Sequence, residues 1–172
     1  SWSYTDWTNT AGNQADGSTY KVEAQALSSD SGTDVKQAQF VVDKNPPSIT
    51  ITDPAATSGS KSQLSISGQG ADAASGVKTI EVIIAHMGLA SEPLTEPDTY
   101  YNGVSAWTAT PTWLQVPGSP WSGTPAPLSV NWSMSPITTP NISTLTTTGW
   151  LDGHVYRLTT RGSDVVGKIT HS

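Results

Sequence analysis

One short phrase occurs twice in the sequence. Asp16-Gly17-Ser18-Thr19-Tyr20-Lys21-Val22 returns 136 residues later as Asp152-Gly153-His154-Val155-Tyr156-Arg157-Leu158, each time downstream of a Trp-Ser pair, Trp2-Ser3 or Trp132-Ser133. Two such copies near opposite ends of 172 residues do not make two whole domains. The spacing predicts the end of one repeat followed by most of the next, taken from an array whose units pack mainly on their neighbours. Residues 1–44 read as the C-terminal part of a first repeat and 45–172 as a second that lacks its last strand.

Within this frame the hydrophobic pattern has period two, and no segment sustains a helical period over three turns. Tyr20, Val22, Ala24 and Ala26 alternate with polar residues, as in a strand with one buried face, and 37–42 follows a turn at Ser31-Gly32. Lys44-Asn45-Pro46-Pro47 then interrupts the sheet, because two prolines fix φ and remove two donors. Beyond it, strands are expected at 48–52, 63–67, 77–85, 128–134 and 155–160, with Gly68-Gln69-Gly70 in a loop. The stretch 86–127 reads as an insert dense in Pro, Trp and Tyr, too long to be structureless, with short strands expected at 105–108 and 112–116.

Asp-Gly followed by Tyr-x-Val or Tyr-x-Leu is the arrangement of a tyrosine corner, where a phenol caps upstream backbone as a strand enters the core. Together with Val41-Val42-Asp43 before Pro46-Pro47, Ser75-Gly76-Val77 and Tyr100-Tyr101-Asn102-Gly103 before Trp107, it resembles the immunoglobulin-like repeats of large bacterial surface and adhesin proteins. The resemblance implies tandem immunoglobulin-like β-sandwiches, an all-β fold, with Val22 and Leu158 where antibody domains carry a cysteine. It implies a structural or adhesive segment of a long secreted or cell-surface prokaryotic protein. The expected partners are neighbouring repeats of the same protein or strand-donating copies, with a glycan or other cell-surface ligand as a further candidate. The rival reading is a carbohydrate-binding module of a secreted enzyme. If the second repeat stops before its last strand, the strand from Val155 is left with a bare edge, a template for another strand.

Composition agrees with an extracellular or cell-surface setting. Charged residues are 13% of the chain, and eight Lys and Arg scattered against fourteen Asp and Glu leave no basic stripe for nucleic acid. The absence of cysteine disfavours a disulfide-built secreted domain and allows a prokaryotic one. Any export signal or anchor is expected outside these 172 residues. His86, His154 and His171 sit in different segments without a partnering nucleophile motif, so no enzyme is expected.

Three groups of residues remain as candidates. Asp43 and Asp53 flank the linker and Asp72 lies in a Gly/Ser loop, oxygen donors suited to Ca2+, although linker carboxylates more often cap turns. Tyr100, Tyr101, Trp107, Trp113 and Trp121 offer ring faces on which a sugar stacks, against the commoner use of such rings as core. Asp16 and Asp152, with Tyr20, Tyr156, Pro46 and Pro47, are read as structural. The sequons at Asn131 and Asn141 are read as chance matches.

Overall fold

The computed structural model describes residues 14–30, 32–55, 65–103, 106–123, 125–134, 151 and 153–172. Trp2, Ser3, Leu64, Ser105, Asn141, Trp150 and Asp152 lie outside them. All described secondary structure is β, in eleven strands.

The described residues begin with a hairpin of β1 (Thr19–Leu27) and β2 (Thr33–Val41), which form a two-stranded sheet of their own. Tyr20 stacks on Phe40 across it at 5.7 Å. After the proline linker come β3 (Ser48–Asp53), β4 (Ile66–Ala71) and β5 (Val77–Leu89). The aromatic stretch supplies the short strands β6 (Thr99–Tyr101), β7 (Trp107–Thr108) and β8 (Leu114–Gln115), and β9 (Ser129–Met134), β10 (His154–Asp164) and β11 (Ile169–His171) complete the order. One sheet has the order β3-β4-β9, and the other β11-β10-β5-β6-β7 with β8 also on β5.

These two sheets face each other across one core. Ile49, Ile66, Val130, Trp132 and Met134 come from the first, and Val77, Ile80, Val82 and Ile84 from the second. Period-two patterning puts Ile80, Val82 and Ile84 inward and leaves Glu81 on the outer face. Every residue of the buried cluster lies at Ile49 or later, so the β1–β2 hairpin contributes nothing to it.

Three expectations need correction. Gly68-Gln69-Gly70 is the middle of β4, not a loop. A Cβ on Gly68 would sit 1.9 Å from the Thr50 carbonyl oxygen and 2.5 Å from the Trp132 ring, and one on Gly70 would sit 2.7 Å from Ile80. The glycines are therefore space for neighbouring groups. The strand expected to end at Ala85 runs on to Leu89, so the insert begins later than 86.

The edge of β10 is covered at its end, where β11 pairs with it from Arg161 to Ser163, while from His154 to Thr159 no described strand lies on that side. The reason lies in the first hairpin, where β2 begins at Thr33 rather than at Gln37. Ile169, at the same 136-residue offset from Thr33, begins β11. β11 thus occupies the start of the place that the 136-residue offset gives to a last strand.

Candidate metal centre

At the end of the core nearest the linker, three carboxylates converge. Asp43 follows β2, Asp72 follows β4 and Asp164 ends β10, and one oxygen of each lies within 4.8 Å of the others. Asp164 is fully buried, Asp72 is 5% exposed, and the side chain of Asp43 is 1% exposed. Buried carboxylates need compensation, since leaving water costs several kcal/mol per ion.

Part of that compensation is local. Asp72 Oδ1 accepts the amides of Ala74 at 3.0 Å, Ser75 at 2.8 Å and Gly76 at 2.7 Å, an Asx turn that fixes the side chain. Gly76 is required there: its φ is +90°, and a Cβ would meet the Ala126 carbonyl at 2.7 Å. Asp164 Oδ1 accepts the Lys168 amide at 2.9 Å and closes the turn into β11. Asp43 Oδ1 accepts the Asn45 amide at 3.1 Å.

The rest is incomplete. The Lys168 ammonium donates to the Asp43 carbonyl and stands 3.6 Å from Asp43 Oδ1. Among the described residues, Asp43 Oδ2 and Asp164 Oδ2 are buried with no hydrogen-bond partner. Burial pushes the Asp164 carboxyl above the ordinary range, and its charged neighbours Asp43 and Asp72 push the same way.

The linker is tied from the other side by Asp16. Its Oδ1 accepts the Lys44 amide at 2.6 Å and its Oδ2 the Asn45 side-chain amide at 2.7 Å. Both bonds favour the carboxylate and hold Asp16 below the usual range, the Lys44 bond foremost. The Asp-Gly turn thus clamps the exit of β2 as well as shaping its own loop, with Gly17 at φ +74° donating to the Val42 carbonyl. Pro46 is exposed and Pro47 buried beside this junction.

Of the metal candidates, Asp43 and Asp72 meet and Asp53 does not. Asp53 is exposed at the end of β3 far from the linker, five residues beyond Ser48, and Asp164 takes the third place instead. Asp164 carries little local signal, since an Asp opening a turn with Gly167 at φ +91° is common. Only the folding of β10 back to the linker identifies it.

The aromatic candidates divide among several places. Tyr101 is buried, and Trp107 and Trp121 pack partly against the core. Trp107 meets Tyr101, Tyr156 and His86 at centroid distances of 5.6, 5.6 and 5.9 Å, with planes inclined by 55°, 40° and 60°. Trp113 lies on the outer face, 4.3 Å over the Arg161 guanidinium, which also holds Glu81 at 2.6 Å. Tyr100 is half-buried. The five rings share no common plane.

Tyr156 completes its corner: its hydroxyl accepts the Leu151 amide at 2.8 Å, five residues upstream. Asn131, the first sequon residue, is exposed on β9. Comparison of the chain with family models, curated proteins and solved structures finds no match.

Proposed function

We propose that this chain is a structural or adhesive segment of a tandem array of immunoglobulin-like β-sandwiches, in a long secreted or cell-surface prokaryotic protein. The observation that carries the reading is the repeated hairpin. In the first, Leu27 pairs with Thr33, Ala26 with Asp34 and Gln25 with Val35. Adding 136 to each position gives Ser163 with Ile169, Gly162 with Thr170 and Arg161 with His171, the pairs of β10 with β11. A shared residue phrase and a shared pairing register at one offset support two copies of one unit.

The strand order supports the immunoglobulin-like topology. With β3, β4, β5, β9, β10 and β11 in the places of strands A, B, C, E, F and G, the sheets group as A-B-E and G-F-C. In an array of this kind the useful property is a fixed distance between successive units. The short linker, clamped by Asp16 on one side and Lys168 on the other, fits that use. The rival carbohydrate module needs a row of open rings, and the packing of Tyr101, Trp107 and Trp121 weighs against it.

The test is a distance measurement. The chain has no cysteine, so Lys36→Cys and Thr110→Cys place one spin label on each unit at exposed positions. Double electron–electron resonance is expected to give one narrow distance distribution. A broad distribution spanning tens of ångströms would contradict the spacer reading.

A further inference from the structure

We propose that the outer face of the larger sheet, from Arg161 to Arg157, binds an acidic polysaccharide of the polyuronate type, whose carboxylates pair with the two arginines and whose rings lie on Trp113 and Tyr100. The inference deepens the adhesive reading and rests on it in one respect, that an adhesive segment needs a contact surface of its own.

Strand register builds the face. Alternation turns Ile80, Val82 and Ile84 into the core, so Glu81, Ile83 and Ala85 point the other way. At one end His171 pairs with Arg161, Arg161 with Glu81 and Glu81 with Gln115, a row that crosses β11, β10, β5 and β8. Four residues back along β10, a distance of about 13 Å, Arg157 pairs with Ala85 and Ala85 with Tyr100. Thr159 and Ile83 pair on the floor between the two rows.

Arg161 is held in place for a ligand. Its guanidinium carbon lies 4.3 Å from the Trp113 ring centre and its Nε donates to Glu81 at 2.6 Å, while among the described residues no acceptor meets its terminal nitrogens. A guanidinium fixed against a ring and offering parallel N–H groups suits a carboxylate, which it meets with two hydrogen bonds. Arg157 is exposed and makes no side-chain hydrogen bond or ion pair among the described residues.

Charge and ring placement select the occupant. The chain carries a net charge of −6, yet across these rows two arginines and His171 stand against one carboxylate, Glu81, which Arg161 already neutralises. The local surplus attracts an anion that the chain as a whole repels. Trp113 stands beside Arg161 and Tyr100 lies in the row of Arg157, so each cation has a partly exposed ring near it. A uronic acid residue answers both groups at once, its carboxylate meeting the guanidinium and its C–H face the ring. Two such places lie further apart than one sugar ring spans, which makes the ligand a chain. An acidic peptide would satisfy the arginines and leave the rings unused.

The experiment uses the whole chain in affinity electrophoresis through gels holding polygalacturonate, dextran or poly-L-glutamate, with Kd taken from calorimetry against a galacturonate oligomer. Polygalacturonate should retard the chain, and dextran and poly-L-glutamate should not. Affinity should fall at least about threefold as NaCl is raised to about 0.2 M, whereas simple repulsion between polymer and chain would be relieved by salt. Arg161→Gln should weaken binding at least about tenfold and Trp113→Ala about fivefold. Arg157→Gln guards against a variant that fails to fold: the position is exposed with no partner to lose, and the change should weaken binding at least about fivefold at an unchanged Tm. Lys36→Gln removes the same charge from the first hairpin and should leave the affinity unaltered. No retardation by polygalacturonate, equal retardation by dextran, unchanged affinity in Arg157→Gln or equal weakening in Lys36→Gln would each overturn the site. Equal retardation by poly-L-glutamate would make this a peptide surface and overturn the saccharide. None of these results bears on the label distance between the units, so the site and the array reading fail separately.

Discussion

The two ends of the two-sheet core solve the problem of buried polar groups in opposite ways. β5 and β10 run along both: Val77 pairs with Asp164 at the linker end, and Leu89 pairs with His154 at the other. At the linker end three acids crowd together and two of their oxygens have no donor. At the far end His86 and His154 share a ring-nitrogen contact of 2.6 Å and stack at 4.8 Å, with Trp107 and Tyr156 against them. There one ring nitrogen can donate and the other accept, and Asp98 stands 3.6 Å from the second His86 nitrogen, so the cluster finds its partners within the fold. A self-satisfied cluster needs nothing from outside the fold, whereas like charges in a dry place need a counter-charge.

The largest effect expected from disturbing this contrast is at Asp72. Asp72→Ala strands three amides, one of them on the buried Gly76, and should cost about 3 kcal/mol in urea unfolding. Asp72→Asn keeps an acceptor at Oδ1 and should cost under about 1 kcal/mol. Equal losses in the two variants would mean that charge, not turn geometry, is what Asp72 supplies.

At the far end, Tyr156→Phe should cost about 1 kcal/mol, the value of one hydrogen bond, here to the Leu151 amide. Burial pushes the Tyr156 phenol up, and because its oxygen accepts the amide, this bond does not depend on the phenol's proton. A variant as stable as the parent would show that ring packing alone holds the corner.

Acid should separate the ends more finely. Burial first, and then His154, hold His86 below its ordinary 6.5, with Asp98 at 3.6 Å opposing them. The unfolded chain therefore takes up this proton before the folded one does. The stability His86 provides is complete above about pH 6.5 and is lost progressively as the pH falls below it. Asp164 has the opposite sign: its pKa is raised above 3.8, so the folded chain takes up the proton first and acidification relieves the buried charge until about pH 3.8. Chemical denaturation across pH 4–7.5 should show the acid loss flattened in His86→Phe and steepened in Asp164→Asn. Parallel profiles for both variants and the parent would place the titrating groups elsewhere.

How much of this was legible in the sequence depends on range. Strands β1, β3 and β9 alternate cleanly and stand where alternation places them, because one face of each strand sets its own pattern. Gly68 and Gly70 misled because glycine punctuates turns in sequence, while here each vacates room for Trp132 or Ile80 from another strand. β6 was missed for its length, three residues with no period to detect. The site divides the same way. Asp72 announces itself through its Asx turn and Asp43 through the linker, but Asp164 enters only once β10 pairs with β5 and returns to the junction. Such a site is assembled by tertiary pairing, which no local spacing encodes.

The most direct measurement of the central claim, that one unit is repeated and held at a fixed junction, is the label distance between Lys36→Cys and Thr110→Cys in the parent chain and in Asp16→Ala. The account predicts one narrow distribution in the parent that broadens in Asp16→Ala, which loses the bonds to the Lys44 amide and the Asn45 side chain. A parent distribution already as broad as that of Asp16→Ala would contradict it.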